Sequence, residues 1–213
     1  MTDSQSSPFG ASSSGSPSPG FPWRRMLETT PVLQTPRLIL RAPVAEDLPA
    51  WQANMSDPDS MRFLGGVVSP HMAWRNMTTV VGAWAIVGFS MFSVIEKSTG
   101  RWVGRLGPWQ PEGWPGKEVG WALAREAEGR GYATEGAQAA VDFAFDVLGW
   151  DECIHSIDKD NTASIAVAHR LGSTHKGKAV LPSPIDRTIE RYGQTRAEWQ
   201  ARRDAARAGA GTP

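Results

Sequence analysis

Residues 118–136, EVGWALAREAEGRGYATEG, hold the most informative pattern of this chain. The apolar run Val119–Ala124 predicts a strand, and a polar turn leads from it into a loop that contains Gly129 and Gly131. An alanine-rich amphipathic helix follows over about residues 133–148. Glycines let the backbone approach an anion closely, and the N–H groups and dipole of a helix start attract it. This order of elements predicts a phosphate-binding loop.

The residues alone leave competing interpretations of this loop. One is an ordinary helix start, in which the glycines serve a tight turn and bind no ligand. A dinucleotide-binding fingerprint requires a third glycine where this chain has Thr134. A Walker loop requires Gly-Lys-Ser/Thr where the chain has Gly131-Tyr132-Ala133. Neither nucleotide motif fits, so a nicotinamide-type nucleotide binder is a weak alternative.

A family resemblance supplies a more specific interpretation. The segment Glu128–Ala133 resembles the Gln/Arg-x-x-Gly-x-Gly/Ala loop of the GNAT acetyltransferases, which binds the pyrophosphate of acetyl-coenzyme A. The longer run Gly-Arg-Gly-Tyr-Ala-Thr-Glu is similar to the branch that includes the RimJ/RimL-type N-terminal acetyltransferases. Further segments resemble that branch in the same order over about residues 30–200: Leu33–Arg41, Asn161–Ser164, Arg170–Gly172 and Tyr192–Trp199.

The resemblance implies an α/β (α+β) GNAT fold, with a mixed, mostly antiparallel sheet whose central parallel strands splay apart and are flanked by helices. It implies acetyl-coenzyme A as co-substrate and no metal. In that family the pantetheine arm pairs with the strand before the glycine loop, as an added strand would. The cofactor-binding residues implied here are Ala122, Leu123, Ala124, Gly129, Arg130, Gly131, Tyr132, Ala133, Thr134, Asn161 and Ser164.

The same resemblance assigns catalytic roles. Glu118, at the strand start, is expected to act as general base through water, whereas a strand-end charge facing solvent is the alternative. Asn161 is expected to cap a helix and to contact pantetheine. Ser164 is expected near the thioester sulfur, unless it is an ordinary helix serine. The tyrosine that many relatives use as acid is replaced by Ala168, and His155 is a second candidate base.

Three departures from the family pattern bear on the site. Glu128 stands where Gln or Arg is preferred, which places an acid near two phosphates unless Arg130 or Arg125 offsets it. Gly136 replaces an expected alanine in the helix, and Ser173 replaces an expected aromatic residue.

Composition divides the chain into three parts. Residues 1–28 are expected to be a disordered extension, because their Ser/Pro/Gly-rich start has too few apolar side chains to offset the entropy of ordering. This start also lacks the pattern of a signal peptide. Residues 29–200 form the predicted acetyltransferase domain, and residues 201–213 a C-terminal tail.

Charge and cysteine content exclude several classes of function. Lys plus Arg and Asp plus Glu both number 22, and this balance argues against a general nucleic-acid binder. No apolar run approaches the roughly 18 residues of a membrane span. The single cysteine, Cys153, excludes an internal disulfide and a CxxC metal site. We expect a cytoplasmic monomer or homodimer that acetylates a small-molecule amine or a protein N-terminus. The alternative is a non-catalytic acyl-coenzyme A-binding or regulatory module.

The remaining pattern predicts how the chain is laid out around the loop. Asp47 is predicted to cap a helix that reaches about Met55, and Ser69 to cap the next. Glu152–Asp158 is predicted as a strand parallel to residues 118–124, since a helix connects the two. Other predicted strands are Leu33–Arg41, Phe89–Ile95, Trp102–Trp109, Thr174–Val180 and Thr188–Gly193. The predicted helix stripes are Trp74, Met77, Val81 and Trp84 in one helix, and Ala133, Ala137, Ala140, Ala144 and Leu148 in another.

Overall fold

A computed structural model describes residues 29–210, so the expected disorder of residues 1–28 lies outside the described part. The described chain forms one eight-stranded sheet in the order β1-β2-β3-β4-β5-β6-β8-β7. Its strands are β1 (Leu33–Gln34), β2 (Leu38–Arg41), β3 (Phe92–Glu96), β4 (Trp102–Trp109), β5 (Glu118–Leu123), β6 (Glu152–Ile157), β7 (Thr174–Val180) and β8 (Thr188–Thr195).

The helices connect and cover these strands. They are α1 (Leu48–Ser56), α2 (Pro58–Met61), α3 (Pro70–Val87), α4 (Tyr132–Asp146), α5 (Thr162–Arg170) and α6 (Arg196–Ala210). Helix α6 continues past the domain boundary predicted at residue 200. No helix within residues 29–210 combines the length and the apolar character that crossing a membrane requires.

The centre of the sheet is where the strands separate. Strands β5 and β6 run parallel, as the helical crossover requires, and they pair only at Glu118 and Ile154. The other neighbouring strands pair antiparallel, β4 with β5 and β6 with β8 among them. The sheet therefore opens beyond the first residue pair of β5 and β6. The predicted mixed sheet with splayed central strands is confirmed.

The two faces of the sheet carry different helices. Helix α4 covers one face, where Ala140 and Ala144 pack with Leu106 and Phe92. Helices α1 and α3 cover the other face, and their contact centres on Trp51. Because side chains alternate along a strand, each strand of the centre contributes residues to both layers.

The predicted stripe of α3 is confirmed at Met77 and Trp84, which are buried, and was wrong by one residue at Trp74 and Val81, where Ala73 and Val80 are buried instead. Trp74 is 49% exposed, and Ala73 takes its place among the buried side chains. In α4 the stripe is confirmed at Ala137, Ala140 and Ala144, which are fully buried. Leu148 lies beyond the end of the helix at Asp146. Helical spacing identifies a face, but only packing against the sheet selects its exact centre.

The helix cap predicted at Asp47 was wrong in its chemistry. The Asp47 side chain makes no capping hydrogen bond to α1. Its two oxygens instead accept hydrogen bonds from the guanidinium of Arg41, each at 2.7 Å, and one also accepts from Ser93 at 2.7 Å. A buried carboxylate is stabilised better by a paired guanidinium than by a single N–H group, so Asp47 ties β2 and β3 to the start of α1.

Gly136 explains how α4 reaches the sheet. A Cβ at this position would lie 2.6 Å from Leu106 Cδ2, which is closer than real Cβ contacts. The glycine that departs from the family pattern therefore lets α4 approach β4 and fixes the position of the loop that precedes it.

Candidate active site

One cleft of about 1020 Å³ opens where β5 and β6 separate. Its walls come from β5, from the loop before α4 and from the first turns of α4 and α5. It brings together most of the residues that the sequence proposed: Glu118, Ala122, Leu123, Gly129, Gly131, Tyr132, Ala133, Thr134, Asn161 and Ser164. Arg130 and Ala124 are not among its lining residues, since Ala124 is buried and Arg130 is bonded elsewhere.

The glycine loop offers unused backbone donors. Gly129 and Gly131 have φ angles of 69° and 80°, which side chains rarely adopt. Within residues 29–210, the N–H groups of residues 129–134 donate to no acceptor, and Gly131 supplies no side chain to cap α4. An anion placed here meets free N–H groups at the positive end of the 15-residue helix α4.

The charged side chains behind the loop bind one another. Arg130 Nη2 lies 2.5 Å from Glu96 Oε1, and the Tyr132 hydroxyl donates to the same oxygen. The guanidinium groups of Arg37 and Arg130 lie over the Tyr132 ring, at 4.6 and 4.7 Å from its centroid. Hydrogen bonds from Thr99 and Tyr132, with the charge of Arg130, lower the pKa of Glu96 to about 2. Arg130 is thus engaged behind the loop.

Glu118 is a buried acid that lines the cleft. It is 7% exposed, and its Oε2 accepts a hydrogen bond of 2.7 Å from Trp114 Nε1. Its other oxygen lies over Gly120, where a Cβ would approach it to 2.9 Å. Burial raises the pKa of Glu118 to about 7, and the Trp114 hydrogen bond opposes that rise. This carboxyl group changes charge near neutral pH, as a general base must.

His155, the second candidate base, bridges the separating strands. Its Nδ1 lies 2.7 Å from the Val119 carbonyl oxygen and its Nε2 lies 2.9 Å from Ser173 Oγ. A carbonyl only accepts, so Nδ1 carries the proton and Nε2 accepts from the Ser173 hydroxyl. Burial lowers the pKa of His155 to about 4. Both ring nitrogens are occupied, and the hydroxyl of Ser173 accounts for that departure from the family pattern.

The start of α5 presents polar groups to the cleft. Asn161 Oδ1 caps the helix by accepting from Ser164 N at 3.0 Å, which confirms the predicted cap. Its amide NH₂ donates to no acceptor within residues 29–210 and can therefore reach a ligand. Ser164 Oγ lies 3.2 Å from Trp121 Nε1, and this indole donor leaves the hydroxyl proton free to point into the cleft. Ala168 faces away, into a buried cluster with Ile157.

Glu128 adds negative charge beside the loop. It lines the cleft, and partial burial together with the nearby carboxylates of Asp57 and Asp59 raises its pKa. Arg125 opposes this rise, but its guanidinium is ion-paired with Asp59. Arg125 therefore neutralises Glu128 only in part, because the same guanidinium also pairs with Asp59.

Sequence reasoning missed part of the cleft. Arg105 lines it from β4, and Met91 lines it from the position before β3. The end of α2 and the residues after it also contribute: Asp59, Ser60, Arg62, Phe63 and Leu64. A signal for Arg105 exists, because it is a charged residue inside the otherwise apolar run Trp102–Trp109. Within residues 29–210 no group of His, Cys, Asp or Glu could hold a metal ion, and burial raises the pKa of the Cys153 thiol.

Comparison with known proteins identifies the fold and the chemistry. Residues 37–174 match the family model described as an acetyltransferase (GNAT) domain. The chain belongs to the GNAT acetyltransferase family. A crystal structure of the acetyltransferase from Agrobacterium tumefaciens str. C58 superimposes with a TM-score of 0.69 at 32% identity, over 77% of this chain and 95% of that one.

Two further proteins are similar to this chain, one in sequence and one in fold. The N-acetyltransferase p20 of Bacillus licheniformis is 27% identical over 148 residues, which are 68% of this chain and 83% of that protein. The structure of RimL, the ribosomal L7/L12 alpha-N-protein acetyltransferase, has a TM-score of 0.64 at 17% identity, over 78% and 94% of the two chains. That structure shares the fold, as the resemblance to the RimJ/RimL branch implied.

As a GNAT protein, this chain is an acetyl-coenzyme A-dependent N-acetyltransferase. The free N–H groups of residues 129–134 fit the pyrophosphate that this co-substrate carries.

Proposed function

We propose that this GNAT protein transfers the acetyl group of acetyl-coenzyme A directly to a primary amine, either a small-molecule amine or a protein N-terminus. One observation carries the proposal: a buried carboxyl group with a pKa of about 7, on Glu118, lines the same cleft as the unused N–H groups of residues 129–134. The cleft thus combines an anchor for the co-substrate with a base for the acceptor.

The co-substrate is bound mainly by backbone in this proposal. The N–H groups of residues 129–134 hold the pyrophosphate, and the main chain of Ala122–Ala124 pairs with the pantetheine arm as an added strand. Because β5 runs from Glu118 to Leu123, an arm laid along it from the loop places its acyl end toward Glu118. The Asn161 amide donates to the arm from α5.

The chemical step then needs one proton acceptor. An amine attacks only when it is neutral, yet amines are largely protonated at pH 7. Ionised Glu118 takes that proton, through a water molecule. The nitrogen forms a bond to the thioester carbonyl carbon, a backbone N–H of β5 polarises the carbonyl oxygen, and the C–S bond breaks. The second amine proton leaves to solvent.

The leaving thiolate also needs stabilisation. Ser164 lies across β5 from Glu118, and its Oγ is oriented by the Trp121 indole N–H. We assign to its hydroxyl a hydrogen bond to the departing sulfur, which then takes its proton from a water molecule, so that Ser164 stays neutral throughout. No covalent enzyme intermediate is involved, since the Cys153 thiol is buried and its raised pKa disfavours the thiolate.

The test is a turnover assay with the purified protein. It is incubated with acetyl-coenzyme A and a set of amines, free thiol is followed by its colour reaction, and products are identified by mass spectrometry. Thiol release with an acetylated amine supports the proposal. Binding of acetyl-coenzyme A without acetylation of any amine would instead show a binding module and overturn it.

A further inference from the structure

Arg105 is a buried cation without an anionic partner. It stands in the middle of β4, is 7% exposed and lines the cleft. Burial lowers the pKa of its guanidinium to about 10, and no acidic group within residues 29–210 contributes to that value. A buried charge is costly unless it is paired, so such an arrangement is expected where a ligand provides the counter-charge.

The surroundings hold the guanidinium in place without neutralising it. Arg105 Nη1 donates to Asn54 Oδ1 at 3.1 Å, and Asn54 Nδ2 donates to the Leu123 carbonyl oxygen at 3.0 Å. The guanidinium carbon lies 5.2 Å from the centroid of the Trp51 ring. An arginine has five N–H donors, and this one makes a single hydrogen bond within residues 29–210. The remaining donors are available to a ligand.

Arg105 and Glu118 share one face of the sheet. Arg105 is paired with Ala122 across β4 and β5, and Glu118 is paired with Trp109, so both side chains project to the side of α1 and α3. Ala122, the partner of Arg105, is four residues from Glu118 along β5, so the two side chains are separated by roughly 13 Å in the strand direction. The Gly107–Gly120 pair between them carries no side chain. Met91, whose Cε lies 3.1 Å from where a Gly120 Cβ would be, covers this gap with a flexible side chain.

From this geometry we propose that Arg105 binds a carboxylate of the acceptor, so the acceptor is an amine that also carries a carboxylate. The inference rests on the proposed function. Glu118 receives the amine end and Arg105 the acid end. Each charged end of the acceptor thus meets a buried group of opposite charge that has no partner of opposite sign within residues 29–210. A free amino acid and an acidic peptide share this chemistry.

A phosphate of the co-substrate is the other anion to consider for Arg105. The N–H groups of residues 129–134 lie at the start of helix α4. This helix packs on the face of the sheet that contains Leu106, opposite to the face of α1 and α3. Arg105 is the neighbour of Leu106 in β4 and projects to the other face. Arg105 therefore lies on the face of the sheet where we place the acceptor, away from the phosphates.

The experiment uses matched amines that differ only in the carboxylate. Amino acids of increasing amine-to-carboxylate spacing and short acidic peptides are compared with their amides, for the full-length protein and for Arg105→Met, Arg105→Lys and Arg101→Met. Arg101 is the control, because it is 67% exposed and paired with Glu126 outside the cleft. Steady-state kinetics give kcat/KM for each amine and KM for acetyl-coenzyme A, and thermal unfolding reports on folding.

The expected result has three parts. Wild type prefers the carboxylate form by about 100-fold in kcat/KM, R105M loses that preference, and R105K retains part of it. KM for acetyl-coenzyme A changes little in any variant, and whether amino acids or peptides are used best identifies the source of the carboxylate. Acetylation of amides as fast as of acids, or a raised KM for acetyl-coenzyme A in R105K, would overturn this inference and leave the proposed function standing. Failure of wild type to acetylate any amine would overturn both.

Discussion

The two halves of the cleft handle charge in opposite ways. At the glycine loop the charged side chains are paired with one another, Arg37 with Glu135 at 2.6 Å and Arg130 with Glu96 at 2.5 Å. Within residues 29–210, the cations behind the loop are thereby engaged, and the backbone N–H groups of residues 129–134 are left as its main donors to a ligand. On the sheet face below α1, the buried charges of Glu118 and Arg105 have no partner of opposite sign within residues 29–210.

This difference teaches what each half recognises. Main-chain donors are the same whatever the sequence, which suits a co-substrate that every member of the family uses. Unpaired side chains can differ from one protein to the next, which suits an acceptor that distinguishes them. We therefore expect the loop to determine binding of the shared co-substrate, and the sheet face to determine which acceptor this protein uses. The following experiments test that division.

The largest effect is expected from Glu118→Gln, which keeps the shape of the side chain and a possible contact to Trp114 but removes the base. We expect kcat/KM to fall about 10²- to 10³-fold, as loss of a general base does. In wild type kcat/KM should rise with pH through about 7, the pKa of Glu118, and this limb should be absent from the variant. Glu112→Gln, at an exposed position of the preceding loop, is the control. An unchanged pH profile in E118Q would remove Glu118 from the mechanism.

Glu118 should also make stability depend on pH. Its pKa is raised from 4.5 to about 7 on folding, so the native state holds this proton more tightly than the unfolded state. The stabilisation is complete below pH 4.5 and is lost as the pH rises through 7. The free energy of unfolding should therefore fall by up to about 3 kcal/mol relative to E118Q over that range. Urea unfolding of both proteins from pH 4.5 to 8 measures the difference, and parallel curves would contradict the assignment.

A smaller effect is expected from the backbone of the loop. Gly131→Val forces a side chain into a left-handed conformation and places a Cβ 3.3 Å from Arg37 Nη2, so the N–H groups shift. We expect KM for acetyl-coenzyme A to rise at least about tenfold. Gly149→Val is the matched control, with a φ of 70° just beyond the other end of α4 and no atom within 4 Å of its Cβ. Equal KM values in the two variants would show that the loop does not bind the co-substrate.

The smallest effect is expected from Glu128→Gln. Removing this charge, which faces the cleft beside the loop, should lower KM for acetyl-coenzyme A by roughly two- to threefold at low salt, and salt should reduce the gain. Glu126→Gln, at an exposed glutamate paired with Arg101, provides the control. A raised KM in E128Q would mean that the acid helps binding.

Much of the fold could be predicted because its signals are local. The strand, the glycine loop and α4 follow one another directly, and the crossover from β5 to β6 requires parallel strands. Element ends were less certain, since α4 begins at Tyr132 and ends at Asp146 rather than at 133 and 148. A helix ends where its packing ends, which periodicity does not record.

The position of candidate site residues in one cleft was predictable where they lie at element ends. Glu118 begins a strand, Gly131 and Asn161 are the N-cap residues of α4 and α5, and the splayed strands bring those ends to one cleft. The pairing of Arg130 with Glu96 was not predictable, because the two residues are 34 positions apart and meet only in the folded sheet. Arg105 was missed for a related reason: its burial depends on α1, which covers it through Trp51.

The tryptophans show the same limit. The chain has 10 of them, and their number alone could not indicate which ones belong to the site. The structure selects Trp114, which donates to Glu118, and Trp121, which donates to Ser164. Each supplies an indole N–H to a proposed catalytic side chain, and each does so through a contact that only the sheet geometry creates.

His155 has a consequence for how the enzyme responds to acidity. Its ring spans the point where β5 and β6 diverge, and its pKa of about 4 keeps it neutral at every pH at which Glu118 titrates. His155 therefore keeps a constant charge at the opening while Glu118, the proposed base, gains or loses a proton. Mild acidification should lower the activity by protonating Glu118, without changing the hydrogen bonds of His155 that join β5 to the rest of the site.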